Sequence, residues 1–279
     1  MRIINLISGF NGVVAGGVAT LDIPVGRRYH ALKVFLSATV ASAPSTDPLL
    51  IITQARLLVN GVELRALTPA QILGIANLNA RTPDATTGEL PFYFSEPWRA
   101  SILGEEITSW DTNRATGAAV FTLELTFAAG AVNPSAVAEA SFDYGRNVDQ
   151  AGNPALAIIK QTRLTRSNPA GIVDLIDLPQ MRPIQRIHLQ TSAGSISYLE
   201  VWNDTVKVME GATGRINDFQ KDYEMTPSAS GFALSAVFDF TQQITDALFV
   251  QNKNLDVRPT CSTAGAITAV VEYRENGYV

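Results

Sequence analysis

The sequence runs twice through one order of elements at a nearly constant spacing. A hairpin, a short helix, an aromatic strand, a second helical segment and a closing strand appear in the first half and again in the second. Asn60 and Asn203 are 143 residues apart, Phe94 and Phe238 are 144 apart, and Thr122 and Thr268 are 146 apart. Identity between the halves is slight, so what repeats is the pattern of elements and not the residues. A chain of 279 residues organised this way folds as two similar units of roughly 130 residues each.

Each half is built mostly of strands. Segments 31–39 (ALKVFLSAT), 51–59 (IITQARLLV), 90–94 (LPFYF) and 120–127 (VFTLELTF) are short and rich in β-branched or aromatic residues. In the last, Phe121, Leu123, Leu125 and Phe127 alternate with Thr122, Glu124 and Thr126, the signature of a half-buried strand. Asn60-Gly61 between ARLLV and VELRAL is a hairpin turn, because both central positions need positive φ. Thr68-Pro69 before AQILGIANL reads as an N-cap, a Pro at N1 and about two turns of helix. A weaker helix signal covers 97–107. In the second half, strands are expected at 184–190 (IQRIHLQ), 196–202 (ISYLEVW), 232–240 (FALSAVFDF) and 266–273 (AITAVVEY), with helices at 214–223 and 241–250.

Residues 130–154 show no clear period and place the boundary: a first unit over 1–140, a linker over 141–156 and a second unit over 157–279. Six to eight strands in roughly 130 residues are managed most economically as two antiparallel sheets packed face to face. The expected fold is all-β: two tandem eight-stranded jelly rolls with short helices in the loops.

Little in the chain points to chemistry. The single Cys261 excludes an internal disulfide and a cysteine zinc site, and it reads as an inert, partly buried thiol. His30 and His188 lack partners at metal-ligand spacing and read as surface residues, His188 pointing outward between Ile187 and Leu189. No GxSxG, Walker A or GxGxxG motif occurs, and Gly211–Gly214 offers only half a glycine loop. Asp174 and Asp177 flank a turn. Glu105, Glu106, Asp111 and Asn113 offer oxygens to a calcium ion but lack EF-hand order. No catalytic residues are assigned, and the chain is expected not to be an enzyme.

Hydrophobic residues make up 46% and mean hydropathy is +0.11, enough for a sizeable core. Charged residues are only 17%, against a usual value of roughly 25%, as in proteins that cover part of their surface with partners. A net charge of −5 argues against a general nucleic-acid binder. No run approaches the roughly 18 apolar residues of a membrane span. Asn5, Ser8 and Asn11 interrupt what would be a signal-peptide core, so the N-terminus reads as mature chain made in a cytoplasm. Basic residues gather at the start of each half: Arg27, Arg28 and Lys33, then Lys160, Arg163, Arg166, Arg182 and Arg186. Such clusters on an acidic chain suggest an anionic neighbour, either a membrane or nucleic acid, with an ordinary solvated surface as the competing reading.

The opening 1–26 with LDIPVG, the hairpin ARLLVNGVELRAL, GELPFYFSEPW, DLIDLP, RIHL and AVVEY stand in an order that resembles the major capsid proteins of membrane-containing icosahedral viruses, in particular the small corticovirus-type phage capsid protein. The similarity runs through nearly the whole chain and is weakest over 130–154. The resemblance implies a double jelly roll and a homotrimeric, pseudo-hexagonal capsomer. Neighbouring capsomers, the lipids or proteins of an internal membrane, and minor vertex proteins would be its partners, with no specific nucleic acid among them. It implies a virion shell built from chains made in a bacterial host's cytoplasm, no cofactor, and structural calcium in some members with no ligand transferable to this sequence. Arg27, Arg28, Lys160 and Arg163 are then the candidates to face the membrane. The competing reading is a carbohydrate- or receptor-binding β-sandwich, such as a spike, with Trp98, Trp110 and Trp202 as a sugar platform. A β-sandwich hydrolase is the weakest of the three.

Overall fold

Asn60 and Gly61 turn the chain as their residue types require, with φ of 53° and 79°. They join the strands Ile52–Val59 and Val62–Leu67 in register, Val59 opposite Val62. The computed structural model describes residues 1–7, 9–99, 105–148, 157–179, 182–192, 194–240, 246–249 and 254–278. It divides into two compact units. The first comprises Met1–Ala76, Arg81–Ile159 and Glu275–Val279, the second Asn77–Ala80 and Lys160–Arg274.

In the first unit the strands are β1 (Ile3–Leu6), β2 (Val18–Ile23), β3 (Arg28–Val40), β4 (Ala43–Ser45) and β5 (Ile52–Val59). They continue with β6 (Val62–Leu67), β7 (Glu89–Tyr93), β8 (Trp110–Asp111), β9 (Phe121–Phe127) and β10 (Val132–Asp143). Thirteen residues make β3 long enough to pair with β8, β7 and β4 along successive stretches. Setting aside the short β4 and β8 leaves eight principal strands. One sheet holds the first, eighth, third and sixth (β1-β10-β3-β7), and the other the second, seventh, fourth and fifth (β2-β9-β5-β6).

The second unit winds the same way. Its strands are β11 (Ile158–Asn168), β12 (Gly171–Ile172), β13 (Pro183–Thr191), β14 (Ile196–Asn203) and β15 (Val206–Ala212), then β16 (Leu234–Val237), β17 (Leu248–Phe249), β18 (Leu255–Cys261) and β19 (Gly265–Glu275). Without β17, the first, eighth, third and sixth are again neighbours (β11-β19-β13-β16), as are the second, seventh, fourth and fifth (β12-β18-β14-β15). Sheets ordered 1-8-3-6 and 2-7-4-5 are the jelly-roll winding, produced here twice.

Period-2 burial builds both cores. On β9, Phe121, Leu123, Leu125 and Phe127 are buried, and on β18 Leu255, Val257 and Cys261 are. Cys261 is buried in an apolar cluster with Leu199, Val201 and Ile267. Each unit places its longer helix in the connection from fifth to sixth strand, Pro69–Leu78 in the first and Thr213–Asp222 in the second. Thr68 and Gln71 cap the former reciprocally, each side chain accepting from the other's backbone N–H.

Two expectations need correction. The aromatic strand over 232–240 is reduced to the four residues of β16, because Phe232 and Ala233 belong to the loop that covers the sheet. Within 241–250, read as helical, Leu248–Phe249 is a strand paired to β13, while 241–245 and 250 lie outside the described residues. The helix signal over 97–107 and the linker over 141–156 also fall in part outside them.

Gly88 shows where conformation and space act together. Its φ is +69°, and a Cβ there would meet the Leu36 carbonyl oxygen and stand 2.7 Å from that of Thr46. Gly61 has a similar φ, +79°, but open space around it. Gly61→Ala is therefore expected to cost about 1–2 kcal/mol from backbone strain alone. Gly88→Ala should exceed it by about 1–3 kcal/mol, because backbone must also move. Urea unfolding of the two variants checks the difference.

Candidate functional site

Both histidines of the chain follow an arginine by two residues, at Arg28-Tyr29-His30 and Arg186-Ile187-His188. Each triplet lies on the third strand of its unit, where residues two apart share a face. Opposite each arginine, on the eighth strand, stands an acid: Asp143 pairs with Arg28 and Glu272 with Arg186 in the strand register.

In the first unit Arg28 donates to both carboxylate oxygens of Asp143, Nε to Oδ1 at 3.0 Å and Nη2 to Oδ2 at 2.7 Å. His30 Nε2 lies 3.0 Å from Oδ2, and the Gly145 N–H donates to Oδ1 at 2.7 Å. A Cβ at Gly145 would stand 2.9 Å from both Arg28 Nη2 and Asp143 Oδ1, so a side chain there would push on the ion pair. Glu106, 3.3 Å from Arg28 Nη1, connects the cluster to Arg2. Burial alone would raise the Asp143 pKa, but donation from Arg28, His30 and Gly145 prevails and holds it far below the ordinary carboxylate range. Burial also dominates at His30, lowering its pKa against the pull of Asp143.

In the second unit the arrangement lies deeper. Arg186 and Asp239 are fully buried and joined by two parallel contacts of 3.0 Å, Nε to Oδ1 and Nη2 to Oδ2. Glu272 approaches Arg186 Nη1 at 3.6 Å and His188 Nε2 at 3.4 Å, and accepts from Gln161 Nε2. His188 Nδ1 is 2.9 Å from Ser235 Oγ. Burial would raise the Glu272 pKa, yet His188, Arg186 and Gln161 bring it down to about 2.

The histidines are thus not surface residues. Six successive residues of β13 are buried, so both faces of this strand are covered and period-2 reasoning fails there. The outward face is closed by the connection from fifth to sixth strand. Phe232 stacks on the His188 ring with centroids 4.6 Å apart, and Gln220 donates to the Ser235 carbonyl. The acids of the clusters were not singled out from the sequence, although the twice-spelled Arg-x-His was the available signal.

Other candidates take ordinary structural roles. Asp111 Oδ1 accepts from the Asn113 backbone and side chain and Oδ2 from the Asn147 N–H, while Glu105 and Glu106 pair with Arg2. These oxygens face N–H donors, a poor fit for calcium, and among the described residues no three His, Cys, Asp or Glu side chains converge as metal ligands. Asp174 pairs with Arg258, and Asp177 with Arg166. Trp110 is buried, Trp98 packs edge-on against Tyr93, and Trp202 lies beneath Lys207 and Arg258. None presents the bare ring that a sugar platform needs. Among the basic residues proposed to meet a membrane, Arg163 is exposed and Lys160 half-buried. Arg27 lays its guanidinium over the Phe142 ring at 4.2 Å, and Arg28 is committed to Asp143.

Comparison with known proteins agrees with the twofold jelly-roll winding. A family model of the viral coat protein P2 N-terminal domain matches residues 4–143, and one of the P2 C-terminal domain matches residues 158–276. No curated protein sequence matches significantly. The crystal structure of the major capsid protein P2 from bacteriophage PM2 is 17% identical, with a TM-score of 0.84 over 99% of this chain and 98% of that one. The atomic structure of Sulfolobus Turreted Icosahedral Virus contains a chain 11% identical, with a TM-score of 0.71 over 99% and 91%. The Faustovirus major capsid protein is 7% identical, with a TM-score of 0.64 over 98% and 89%. At these identities the structural likenesses establish the fold, the double jelly roll of major capsid proteins.

Proposed function

Because the chain belongs to the viral coat protein P2 family, a family of structural and non-enzymatic proteins, we propose that three copies form a pseudo-hexagonal capsomer of an icosahedral phage shell laid over an internal membrane. The observation that carries this reading is the repeated winding. One chain supplies two sandwiches of the same strand order, and three chains about a threefold axis supply six. Contacts between lobes also give a use to the low charge fraction, since interface cores are depleted in charge. Such an obligate interface should bury more than about 2,000 Å² in total. Minor proteins would occupy the vertices, and the chains would be made in the bacterial host's cytoplasm before assembly. Sedimentation of the purified chain at micromolar concentration should give a trimer. A stable monomer, with and without calcium, would count against this assembly.

The membrane would be met by Arg27, Lys160 and Arg163, the basic candidates other than Arg28, which is committed to Asp143. Changing these three to Gln is expected to weaken binding to anionic liposomes at low salt, with the difference shrinking as salt rises. Arg28 is best left unchanged in this test, because its loss would disturb Asp143 instead of the surface. Equal binding by variant and parent at low salt would remove the membrane part of the proposal.

A further inference from the structure

We infer that each sandwich carries a proton-sensitive lock between its third and eighth strands, and that acid loosens both sandwiches along this same seam. The inference does not rest on the coat reading, since it concerns the folded chain itself. It stands on a coincidence of geometry. The two histidines and their arginines occupy matching strands, and each arginine faces an acid at the matching register position. In the second unit the acid at this position is Glu272. The groups facing it are Arg186 and His188 from β13 and Gln161 from β11, with Asp239 beyond Arg186 and Ser235 beyond His188. In the first unit the groups around Asp143 are Arg28 and His30 from β3 and the Gly145 N–H, with Glu106 and Arg2 beyond Arg28.

The direction follows from which state binds protons more tightly. Glu272 has an ordinary value of 4.5 and a folded value of about 2. Its contribution to stability is complete above the ordinary carboxylate range and is lost as pH falls toward 2. Asp143 is depressed as well and acts in the same direction. His30, lowered by burial, adds to it from higher pH, because the unfolded chain takes up that proton first. A protonated Glu272 no longer offers its negative charge to the buried Arg186 and His188.

The test compares folded-to-unfolded ratios of the full purified chain in urea from pH 7 to pH 3. Glu272→Gln mimics the protonated lock. It should lower the ratio on the order of a hundredfold at pH 7, and the gap to the parent should shrink at least about tenfold by pH 3. Asp143→Asn should behave likewise, whereas Leu199→Ala, a core truncation far from titration, should keep a constant gap. Should Glu272→Gln not fold, Gln161→Leu removes only one donor to Glu272, and its smaller deficit, followed down to pH 2, should narrow mainly below pH 3. A deficit as wide at pH 3 as at pH 7 in Glu272→Gln, or as wide at pH 2 as at pH 7 in Gln161→Leu where that variant is the one measured, overturns the lock and identifies Glu272 as a packing residue only.

Discussion

Arg186→Met is expected to destabilise the chain by about 3–5 kcal/mol, as breaking a buried ion pair from one side does. The guanidinium is fully buried, and it stands between two carboxylates, Asp239 at 3.0 Å and Glu272 at 3.6 Å. Methionine fills comparable length but leaves both acids inside the sandwich without their common cation. The penalty comes from the stranded acids and not from the loss of attraction, and this separates two variants. Arg186→Met combined with Asp239→Leu and Glu272→Leu removes the guanidinium and both carboxylates together and should recover most of the stability, since replacing buried ion partners together by apolar side chains is often neutral. Denaturant unfolding at neutral pH measures both. A single-variant loss below about 1 kcal/mol would mean that the cluster is solvated as a surface pair is.

This cluster also marks where reading the sequence ran out. Period-2 alternation identifies β9 correctly because one of its faces meets the core and the other carries Thr122, Glu124 and Thr126. The Asn60-Gly61 turn and the Thr68 cap were legible for the same kind of reason, each being a local requirement met by local residues. On β13 the alternation between Ile187, His188 and Leu189 looks the same in the sequence as it would on a half-exposed strand. What covers the outer face is Phe232, 44 positions away. A polar residue beneath a long-range cover is indistinguishable from a polar residue in water until that cover is placed. Asp143 escaped notice because it falls in the segment read as a linker, although β10 runs through it to reach Arg28. The strands β12 and β17, two residues each, carry too little sequence to show any period.

The repeat fared differently. Offsets of 143 to 146 residues were enough to indicate two like units, and both units wind 1-8-3-6 and 2-7-4-5. What the offsets did not convey is that the buried charges repeat too, since Arg28 and Arg186 are 158 residues apart. The difference arises from where the chain is inserted: the strands that follow each arginine are separated by loops of unequal length. A spacing search tuned to one offset misses a pair held at another, while the topology places them at matching positions.

Trp110→Ala should cost about 3–5 kcal/mol, and Trp202→Ala no more than about 1 kcal/mol. Trp110 has no exposed surface and sits among Phe94, Phe121 and Tyr278, with ring centroids 4.6, 5.4 and 6.1 Å away, while the Arg65 guanidinium lies 5.1 Å from its own ring. It comes from β8, a strand of two residues paired to β3, so its ring supplies the packing for a segment that has almost no ladder of its own. Truncation would open a cavity inside a cluster of rigid rings that cannot close over it. Trp202 is half-buried on the outer side of its sheet, its Nε1 donating to Glu200 and its face under Lys207 at 4.8 Å and Arg258 at 5.9 Å. Removing it exposes groups that water can satisfy. Trp110→Phe, which retains most of the ring, should recover much of the loss, and near-ultraviolet circular dichroism would report the change in the cluster directly. Equal costs for the two alanine variants would show that the outer face of the second unit is packed as tightly as the core of the first, as it would be if another copy of the chain covered it in solution.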